Sequence, residues 1–238
     1  MTKINTEYTS QDHEFRDQDV YALAKYNWTI RKFKQTGIMT NSRVANIGSG
    51  SGTFTRLLVT EGYDVFSTEP DAEARHQATQ SCPGIHFHSY GLFDLPEEEM
   101  FDVIVMHDVL EHIDGEHLAI EHVVKHLNPN GYFLVTVPAS ELLFGHHDVQ
   151  LGHFRRYTRT TLRRALGKNF TFVKLRYFGF FSIPIVWLLS KKLKRDYPQL
   201  ATGETSLVQR VYGLLCETEA RIPLPFGTAV LALAQLRE

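Results

Sequence analysis

The sequence predicts an α/β fold in which a mostly parallel β-sheet carries helices on both faces. Short apolar segments alternate along the chain with segments of helical apolar spacing, which is the pattern of successive β-α-β units. The turn between the first strand and helix of this pattern contains three glycines, Gly48, Gly50 and Gly52. The chain of 238 residues is long enough for one such domain with insertions, and no repeat or low-complexity linker divides it.

The first strand and helix flank this glycine-rich turn. Arg43 to Ile47 is short and apolar, which predicts a buried parallel strand. Phe54, Leu57 and Leu58 then follow at helical spacing, and Gly62 is expected to end the helix. Glycines suit a sharp turn between strand and helix, and they let a ligand approach bare backbone because no Cβ intervenes.

The second predicted strand, Tyr63 to Thr68, ends at the carboxylate of Glu69. A carboxylate at this position can accept hydrogen bonds from both hydroxyls of a ribose. The glycine spacing differs from the dinucleotide fingerprint G-x-G-x-x-G, because Thr53 stands where the last glycine belongs. The loop also lacks a basic residue for a phosphate, so it favours a ligand without one.

The remaining elements follow from the same criteria. Tyr21, Ala24 and Trp28 form an apolar stripe that predicts a helix over 17–35, which Gly37 is expected to end. Further helices are predicted over 72–80, 117–127, 158–167 and 206–221, and further strands over 85–88, 101–105, 132–137, 171–177 and 228–236.

These segments together resemble the class I S-adenosylmethionine (SAM)-dependent methyltransferases. The glycine turn is similar to their motif I, and FDVIVMHDVLEHI followed by LNPNGYFLVTVP is their usual succession. The resemblance covers Arg43 to Pro138 and points to the bacterial small-molecule type, in a group like the ubiquinone-pathway O-methyltransferases. It implies a Rossmann-like, seven-stranded sheet whose last strand runs antiparallel between the fifth and sixth.

The chain is accordingly interpreted as a single methyltransferase domain over 1–238. Residues 1–42 would form an N-terminal helical cap, and residues 43–178 with 223–238 the core. Residues 179–222 would form an insertion or lid between the sixth and seventh strands.

The resemblance implies SAM as the cofactor. Arg31 could pair with the methionyl carboxylate, or it could lie on a solvated helix face. Asn46 stands where the family usually has an acidic residue, and its amide can still accept from the cofactor's ammonium. Gly91 and Leu92 occupy the place of an acidic residue near the adenine, so a backbone contact is implied. The expected cofactor-binding residues are Arg31, Asn46, Gly48, Ser49, Gly50, Gly52, Glu69, Pro70, Gly91, Leu92, His107 and Asp108.

Histidines near the predicted reaction site are candidates for a catalytic base. A base is needed if the acceptor is a hydroxyl or a protonated amine, and histidine suits that task near neutral pH. His112 follows the fourth strand, and His146 and His147 follow the fifth. Because ligands lie beyond the carboxyl ends of parallel strands, all three are expected at the reaction site.

The stretch Glu141 to Tyr157 is dense in polar and charged side chains and is predicted to bind the acceptor. The alternative is a structural loop held by salt bridges. The residues expected to contact the acceptor are His153, Arg155, Arg156 and Tyr157.

Asp108-x-x-Glu111-His112 resembles the E-x-x-E-H metal motif of small-RNA 2′-O-methyltransferases and ubiquinone-pathway O-methyltransferases. In those enzymes a later histidine completes the metal shell, and His147 or His146 could do so here. Asp108 replaces a glutamate, which shortens its reach. The alternative, which we favour, is that Glu111 and His112 pack the segment after the fourth strand and that no divalent metal binds.

An almost wholly apolar run, Gly179 to Leu189, is followed by the basic stretch Lys191 to Arg195. It is too short to cross a bilayer, which takes about 20 residues, and Pro184 interrupts it. It could be a lid packed over the acceptor site. It could instead contact a membrane surface through 179–195, or a lipid-linked acceptor.

Composition limits the expected partners and the expected compartment. The net charge of −2 shows no basic excess, so nucleic acid is not an expected partner. Two distant cysteines and a polar N-terminus without a signal-peptide core favour the cytoplasm. The predicted function is methyl transfer to an oxygen or nitrogen of a small molecule. A sugar, a polyketide-like metabolite and a lipid-linked glycan intermediate remain open as acceptors, and no oligomeric state is assigned.

Two other functions remain as alternatives. One is a nucleotide-dependent oxidoreductase, against which the glycine spacing argues. The other is a protein that binds SAM without turnover or acts as a membrane-peripheral scaffold.

Overall fold

The computed structural model describes residues 19–194 and 207–237. The start of the predicted N-terminal cap, the polar segment 195–206 and the last residue lie outside the described residues. The strands are β1 (Arg43–Ile47), β2 (Asp64–Thr68), β3 (Phe87–His88), β4 (Phe101–His107), β5 (Leu127–Pro138), β6 (Phe170–Phe178) and β7 (Ala229–Leu236).

The α-helices of the described residues flank this sheet, and short 3₁₀ turns lie between some of the elements. The last long helix precedes β7, and one short α-helix continues directly into a π-helix. They are α1 (Val20–Thr36), α2 (Thr53–Thr60), α3 (Ala72–Ser81), α4 (Glu116–Lys125), α5 (His146–Gln150), α6 (Arg159–Leu166), α7 (Ile183–Val186) with the π-helix Trp187–Leu193, and α8 (Leu207–Glu219).

One sheet contains all the strands of the described residues, in the order β3-β2-β1-β4-β5-β7-β6. β1 runs parallel to β2 and β4, and Ala45 pairs with Phe66 on one side and Ile104 on the other. β7 runs antiparallel to both β5 and β6. The predicted Rossmann-like fold with an antiparallel last strand is thereby confirmed, and the carboxyl ends of β1, β2 and β4 lie at one edge.

Both faces of the sheet are covered, as the continuous apolar character of β1 and β4 requires. Ala45 and Ile104 belong to the core under α4 and α6. Val44 belongs to the opposite core, together with Trp28 and Phe33 of α1. Trp28 and Phe33 are fully buried, and burial of such a side chain contributes about 1.5–3 kcal/mol. These contacts hold α1 across the central strands.

Capping residues fix the ends of α1. The Asp19 side chain accepts hydrogen bonds from the N–H groups of Tyr21 and Ala22, at 2.9 and 3.3 Å. At the other end Gly37 adopts a φ of 78°, and its N–H bonds to the carbonyl of Phe33. The predicted end of this helix at Gly37 is confirmed, while its start is later than expected because Asp19 caps it.

Two boundaries around β4 and β5 differ from the prediction. The helix expected to reach residue 127 ends at Lys125, and Leu127 pairs with Phe101 of β4 instead. The N–H of Phe101 also bonds to the carbonyl of His126 at 2.9 Å. This pairing draws the chain into the sheet, so β5 begins five residues before the predicted Tyr132.

The segment between β6 and β7 is anchored at its base by two buried residues. The Glu219 carboxylate accepts hydrogen bonds from the N–H groups of Gly179, Phe180 and Phe181 at 2.6, 3.0 and 2.8 Å. Arg176 of β6 donates to the carbonyls of Ala220 and Ile222 at 3.1 and 2.7 Å. In the described part of the chain, no helix combines the length and apolar character that crossing a bilayer requires.

Candidate functional site

The glycine turn lies at the carboxyl ends of β1 and β2 and is held by Glu69. The N–H of Gly50 donates to Oε2 of Glu69 at 2.7 Å, and the N–H of Asp71 donates to Oε1 at 3.0 Å. The N–H of Ser49 bonds to the carbonyl of Thr68 at 2.9 Å. Only 6% of Glu69 is exposed. The structure therefore brings the predicted glycine and carboxylate positions together and fixes the orientation of the carboxylate.

Steric limits explain two of the glycines. Gly48, Gly50 and Gly52 all have positive φ, at 68°, 55° and 83°, a conformation that other residues rarely adopt. A Cβ on Gly48 would lie 2.7 Å from Cγ2 of Val109, which follows β4. A Cβ on Gly52 would lie 3.1 Å from the Ala78 side chain. The loop thus packs closely on both neighbouring segments.

Asn46 lies beneath this loop, inside the protein. Its Nδ2 donates to Oγ1 of Thr55 at 2.9 Å, and that hydroxyl lies 2.7 Å from Oγ of Ser67. Asn46 is 2% exposed. The bond directs its amide nitrogen toward α2, so the side chain links β1, α2 and β2.

The structure does not bring Arg31 to the edge where β1 ends. Its guanidinium pairs with the carboxylate of Glu217 in α8 at 3.3 Å. Thr29, whose hydroxyl lies 3.4 Å from Nε2 of His107, faces the sheet. Because a helix turns about 100° per residue, Arg31 points about 200° away from Thr29. The predicted pairing of Arg31 with a ligand carboxylate is therefore replaced by an ion pair with α8.

Lys25, which was not among the residues predicted from the sequence, is the cation of α1 that reaches the edge where β4 ends. Its ammonium pairs with Oδ2 of Asp108. Burial lowers the pKa of Lys25, but the adjacent Asp108 carboxylate outweighs this and raises it. Lys25 lies one helical turn from both Tyr21 and Trp28 of the predicted apolar stripe, and that spacing is the signal that could have identified it.

His107 and Asp108 occupy the end of β4, as expected. The His107 ring packs edge-on against Tyr26 and Phe54, with centroids 4.9 and 4.6 Å apart. Asp108 has a φ of 54°, and its Oδ1 accepts from Oγ1 of Thr136 at 3.0 Å. The packing makes His107 a buried structural neighbour of the site, and Asp108 is the more exposed of the two.

The residues predicted near the ribose and adenine lie along the same edge. Pro70 is exposed, and its carbonyl accepts from Arg75 at 3.1 Å. Gly91 precedes the short 3₁₀ helix Leu92–Asp94. Leu92 is buried in the core under α4, at 1% exposure, so it supports this loop through its side chain.

Glu111 and His112, which follow β4, form a cluster with His153, which follows α5. One ligand-type atom of each lies within 4.8 Å of the others. The rings of His112 and His153 are 4.6 Å apart and edge-on, and the N–H of Phe154 bonds to the carbonyl of Glu111 at 2.9 Å. The predicted base His112 is therefore adjacent to a residue that was assigned to the acceptor.

A buried carboxylate orients His153. Its Nδ1 lies 2.9 Å from Oδ1 of Asp148, and Asp148 also accepts from Nε and Nη2 of Arg156 at 2.7 and 2.9 Å. Burial alone would raise the pKa of Asp148, but the bonds from His153 and Arg156 lower it to about 2. When the Nδ1–H of His153 donates to Asp148, the Nε2 of the neutral ring is an acceptor.

The contacts of three predicted acceptor residues, Arg155, Arg156 and Tyr157, are with other parts of the protein. They agree with the alternative interpretation, a structural loop held by salt bridges. Besides Asp148, Arg156 reaches the carbonyl of Ala139 at 3.3 Å. Arg155 donates to the carbonyl of Ile113 at 3.0 Å. The Tyr157 hydroxyl donates to Glu116 at 2.9 Å, and burial followed by the charge of Glu116 raises its pKa. We correct the expectation of direct acceptor contacts for Arg156 and Tyr157, which are buried.

His146 and His147 lie on α5 and are half-buried. The N–H of His147 lies 3.4 Å from Oγ of Ser190 in the π-helix. A Cβ on Gly145 would meet the same Oγ at 2.3 Å. The segment after β6 therefore packs directly on the short helix that carries these two histidines.

The metal-ligand set suggested by the sequence is not assembled. Asp108 pairs with Lys25, and within the described residues the group with metal-ligand spacing is Glu111, His112 and His153. One carboxylate and two imidazoles suit Zn²⁺ or Mn²⁺ better than Mg²⁺. His153 would take the place expected for His147.

Solved structures with the same fold include methyltransferases. The N-methyltransferase NodS from Bradyrhizobium japonicum WM9, in complex with S-adenosyl-L-homocysteine (SAH), has a TM-score of 0.59 and 17% identity, covering 95% of this chain and 93% of its own. The plantazolicin methyltransferase BpumL, in complex with SAH and a triazolic desmethylPZN analog, has a TM-score of 0.64 and 12% identity, covering 96% and 90%. These identities show a shared fold.

The curated relatives align with a smaller part of this chain than the solved structures do. The ubiquinone biosynthesis O-methyltransferase of Rickettsia typhi is 21% identical over 139 residues, which are 56% of this chain and 56% of the relative. An uncharacterized methyltransferase of Alkaliphilus oremlandii is 29% identical over 91 residues, covering 37% and 42%. The chain thus spans about half the length of the curated relatives it matches.

A family model described as a methyltransferase domain matches residues 21–175. This range runs from α1 to β6 and contains the glycine turn, Glu69, Asp108 and the cluster around His153. The resemblance drawn from the sequence is confirmed, and the chain belongs to this methyltransferase domain family.

Proposed function

We propose that this protein transfers a methyl group from SAM to an oxygen or nitrogen of a small-molecule acceptor. The observation that carries the proposal is the bond from the N–H of Gly50 to Glu69 at 2.7 Å, which sets a carboxylate beside bare backbone in a methyltransferase-family chain. The SAH complexes of NodS and BpumL, which share the fold, support the choice of ligand.

The ligand would lie along the carboxyl edge of β1, β2 and β4. Its ribose hydroxyls would donate to the Glu69 carboxylate, and its adenine would lie near the backbone of Gly91. Its amino-acid end carries both a carboxylate and an ammonium. Lys25 and Asp108 form a pair of matching opposite charges at the end of β4, and we assign the role expected of Arg31 to Lys25.

The transfer is an in-line displacement. The acceptor's lone pair forms a bond to the methyl carbon, the C–S bond breaks, and its electron pair remains on sulfur to give neutral SAH. The protein contributes mainly by holding the two partners in line. A proton leaves the acceptor, and a positioned base contributes about 10²–10⁴-fold.

We assign the base to the imidazole pair of His153 and His112. Asp148 holds the Nδ1 of His153 at 2.9 Å and leaves its Nε2 to accept a proton. His112 lies edge-on beside it. A transition-metal ion held by Glu111, His112 and His153 would instead supply a Lewis acid for the acceptor oxygen, and these imidazoles would then be ligands and not the base.

The acceptor is proposed from the surroundings of this cluster. The O-methyltransferase relatives favour oxygen over nitrogen as the methylated atom. The apolar segment Ile183–Leu193 packs on α5 through Ser190, which favours an acceptor with an apolar part. A lipid-linked intermediate, glycan-bearing or otherwise, fits this description.

Calorimetric titration with SAH tests the proposed ligand. Wild type should bind SAH and not NADH, and Glu69→Ala should weaken SAH binding at least tenfold through loss of the ribose contacts. Glu73→Ala removes an exposed carboxylate of α3 nearby and should bind as wild type. Binding of NADH in preference to SAH, or equal SAH affinity in Glu69→Ala, would overturn the proposal.

Transfer is tested with radiolabelled SAM and pools of phenolic, sugar and lipid-extracted acceptors. Label should pass to the acceptor only with wild type and Glu73→Ala. A protein that binds SAH tightly but labels none of these pools would instead support a binding role without turnover.

A further inference from the structure

The segment that follows β6 has an apolar surface exposed to solvent, called here the apolar platform. Individual exposed apolar residues are common on proteins, but a concentration of large ones indicates an interaction site. Exposure reaches 44% for Phe181, 49% for Ile185, 45% for Trp187 and 47% for Leu188. The platform consists of Phe180, Phe181, Ile185, Trp187, Leu188 and Leu193.

The charged residues within the segment that carries the platform have one sign. Lys191, Lys192 and Lys194 are exposed, and no acidic residue occurs anywhere from 180 to 194. The Lys192 ammonium lies 5.4 Å from the centre of the Trp187 ring. Apolar and cationic groups therefore occupy the same short helix, with an aromatic ring at their border.

We propose that the apolar platform docks on a membrane surface that carries anionic lipids. Tryptophan and phenylalanine insert at the boundary between headgroups and acyl chains, and lysines pair with anionic headgroups. The helix of 183–193 is too short to cross a bilayer, so the contact is with one leaflet only.

Two other occupants of the platform fit less well. A second copy of this chain, related by a two-fold axis, would bring the three lysines of each copy toward those of the other. The segment 195–206 has Tyr197 and Leu200 as its large apolar side chains, which are too few to cover six such residues. An anionic lipid surface matches both the apolar and the cationic part.

Docking through the platform would place the membrane beside the cluster of Glu111, His112 and His153. Ser190 in the π-helix contacts α5, and α5 carries Asp148, which orients His153. Resting on the proposed function, this placement lets an amphiphilic acceptor enter from the membrane. The docking itself does not require methyl transfer and is tested without SAM.

The two tryptophans of the chain allow a direct test by fluorescence. Trp28 is fully buried and Trp187 is 45% exposed, so a shift on binding reports Trp187. Vesicles of phosphatidylcholine with phosphatidylglycerol should shift the emission to shorter wavelength and co-sediment the protein. Pure phosphatidylcholine vesicles should do so weakly, and added salt should weaken binding to the anionic ones.

Substitutions separate the contribution of the apolar side chains to vesicle binding from that of the lysines. Trp187→Phe should co-sediment as wild type but lose the fluorescence shift, whereas Trp187→Asp with Leu188→Asp should lose co-sedimentation. Lys191→Gln with Lys192→Gln alters only exposed side chains, and it should reduce both the binding and its salt dependence. Met39→Asp, at a 67% exposed residue outside the platform, should bind as wild type.

The proposal is overturned if wild type fails to co-sediment with anionic vesicles at low salt, or if the double aspartate variant binds equally well. Sedimentation velocity tests the second-copy occupant. A wild-type dimer that becomes monomeric in the double aspartate variant, with no vesicle binding, would assign the platform to self-association instead. Failure of SAH binding would leave these vesicle results unaffected, so the two proposals fail separately.

Discussion

The ammonium of Lys25 in α1 pairs with the carboxylate of Asp108 at the end of β4. This pair links the first helix to the sheet edge where the ligand is proposed to lie. Lys25 is 4% exposed, and a buried charge is stable only with a partner. The pair therefore places two opposite charges at a site suited to a zwitterionic amino-acid group.

Replacement of Lys25 by methionine keeps the length of the side chain but removes its charge. We expect SAH affinity to fall by about 10-fold or more, because loss of one charge-assisted contact costs about 1.5–3 kcal/mol. The matched control is Arg31→Met in the same helix, whose guanidinium pairs with Glu217 and should leave affinity unchanged. The reverse result in calorimetry would return the role to Arg31.

Gly48→Ala should impair SAH binding through two separable effects. The added Cβ would meet Val109 at 2.7 Å, and φ is 68°. The double variant Gly48→Ala with Val109→Ala removes the clash and should recover part of the affinity. Gly84→Ala is the control for backbone strain alone, since its φ is 85° but nothing lies within 4 Å of an added Cβ. A Gly48→Ala protein that binds SAH as wild type would contradict the close packing of this loop.

Asp148 should contribute to stability over a defined pH range. Its pKa is lowered from 3.8 to about 2 in the folded state, so the contribution is complete above about pH 4 and is lost as pH falls through about 2. The shift corresponds to about 2–3 kcal/mol. Urea unfolding of wild type across this range should show the loss.

Asp148→Asn should remove this pH dependence and destabilise the protein by about 3–5 kcal/mol, because Arg156 would remain buried without a charged partner. Asp114→Asn is the control, since Asp114 is 66% exposed in its pair with Arg155 and exposed pairs contribute about 0–1 kcal/mol. Equal unfolding midpoints for the two variants would contradict a structural role for Asp148.

His153→Gln should lower the rate of methyl transfer by about 10²–10⁴-fold if His153 is the base. His117→Gln, at an exposed residue of α4, should behave as wild type. A loss confined to His146→Gln would move the base to α5.

The sequence alone was sufficient to predict the parts of the fold that depend on the local order of apolar residues, glycines and carboxylates. The apolar strand before Gly48 and the carboxylate at Glu69 follow from residue order alone, and the structure brings them together. Parallel strands place their carboxyl ends at one edge, so adjacency at that edge could be inferred without coordinates.

The partners of long side chains could not be predicted in the same way. Arg31 and Lys25 are both cations of one helix, and only the rotation of that helix against β4 decides which of them faces the site. His153, Asp148 and Arg156 are close in sequence, but their burial depends on how the loop folds over β5. The polar stretch 141–157, which predicted acceptor contacts, therefore also includes residues such as Asp148 and Arg156 that stabilise the loop itself.

The buried side chains of Glu219 and Arg176 join the start of the segment after β6 to the end of α8. Because this junction closes at the sheet, the short helix between it and α8 can be exchanged without disturbing the cofactor edge. A chimera that carries a relative's residues in place of 183–194 should keep SAH affinity while changing which acceptor is methylated. The choice of substrate could then change while the donor site stays the same.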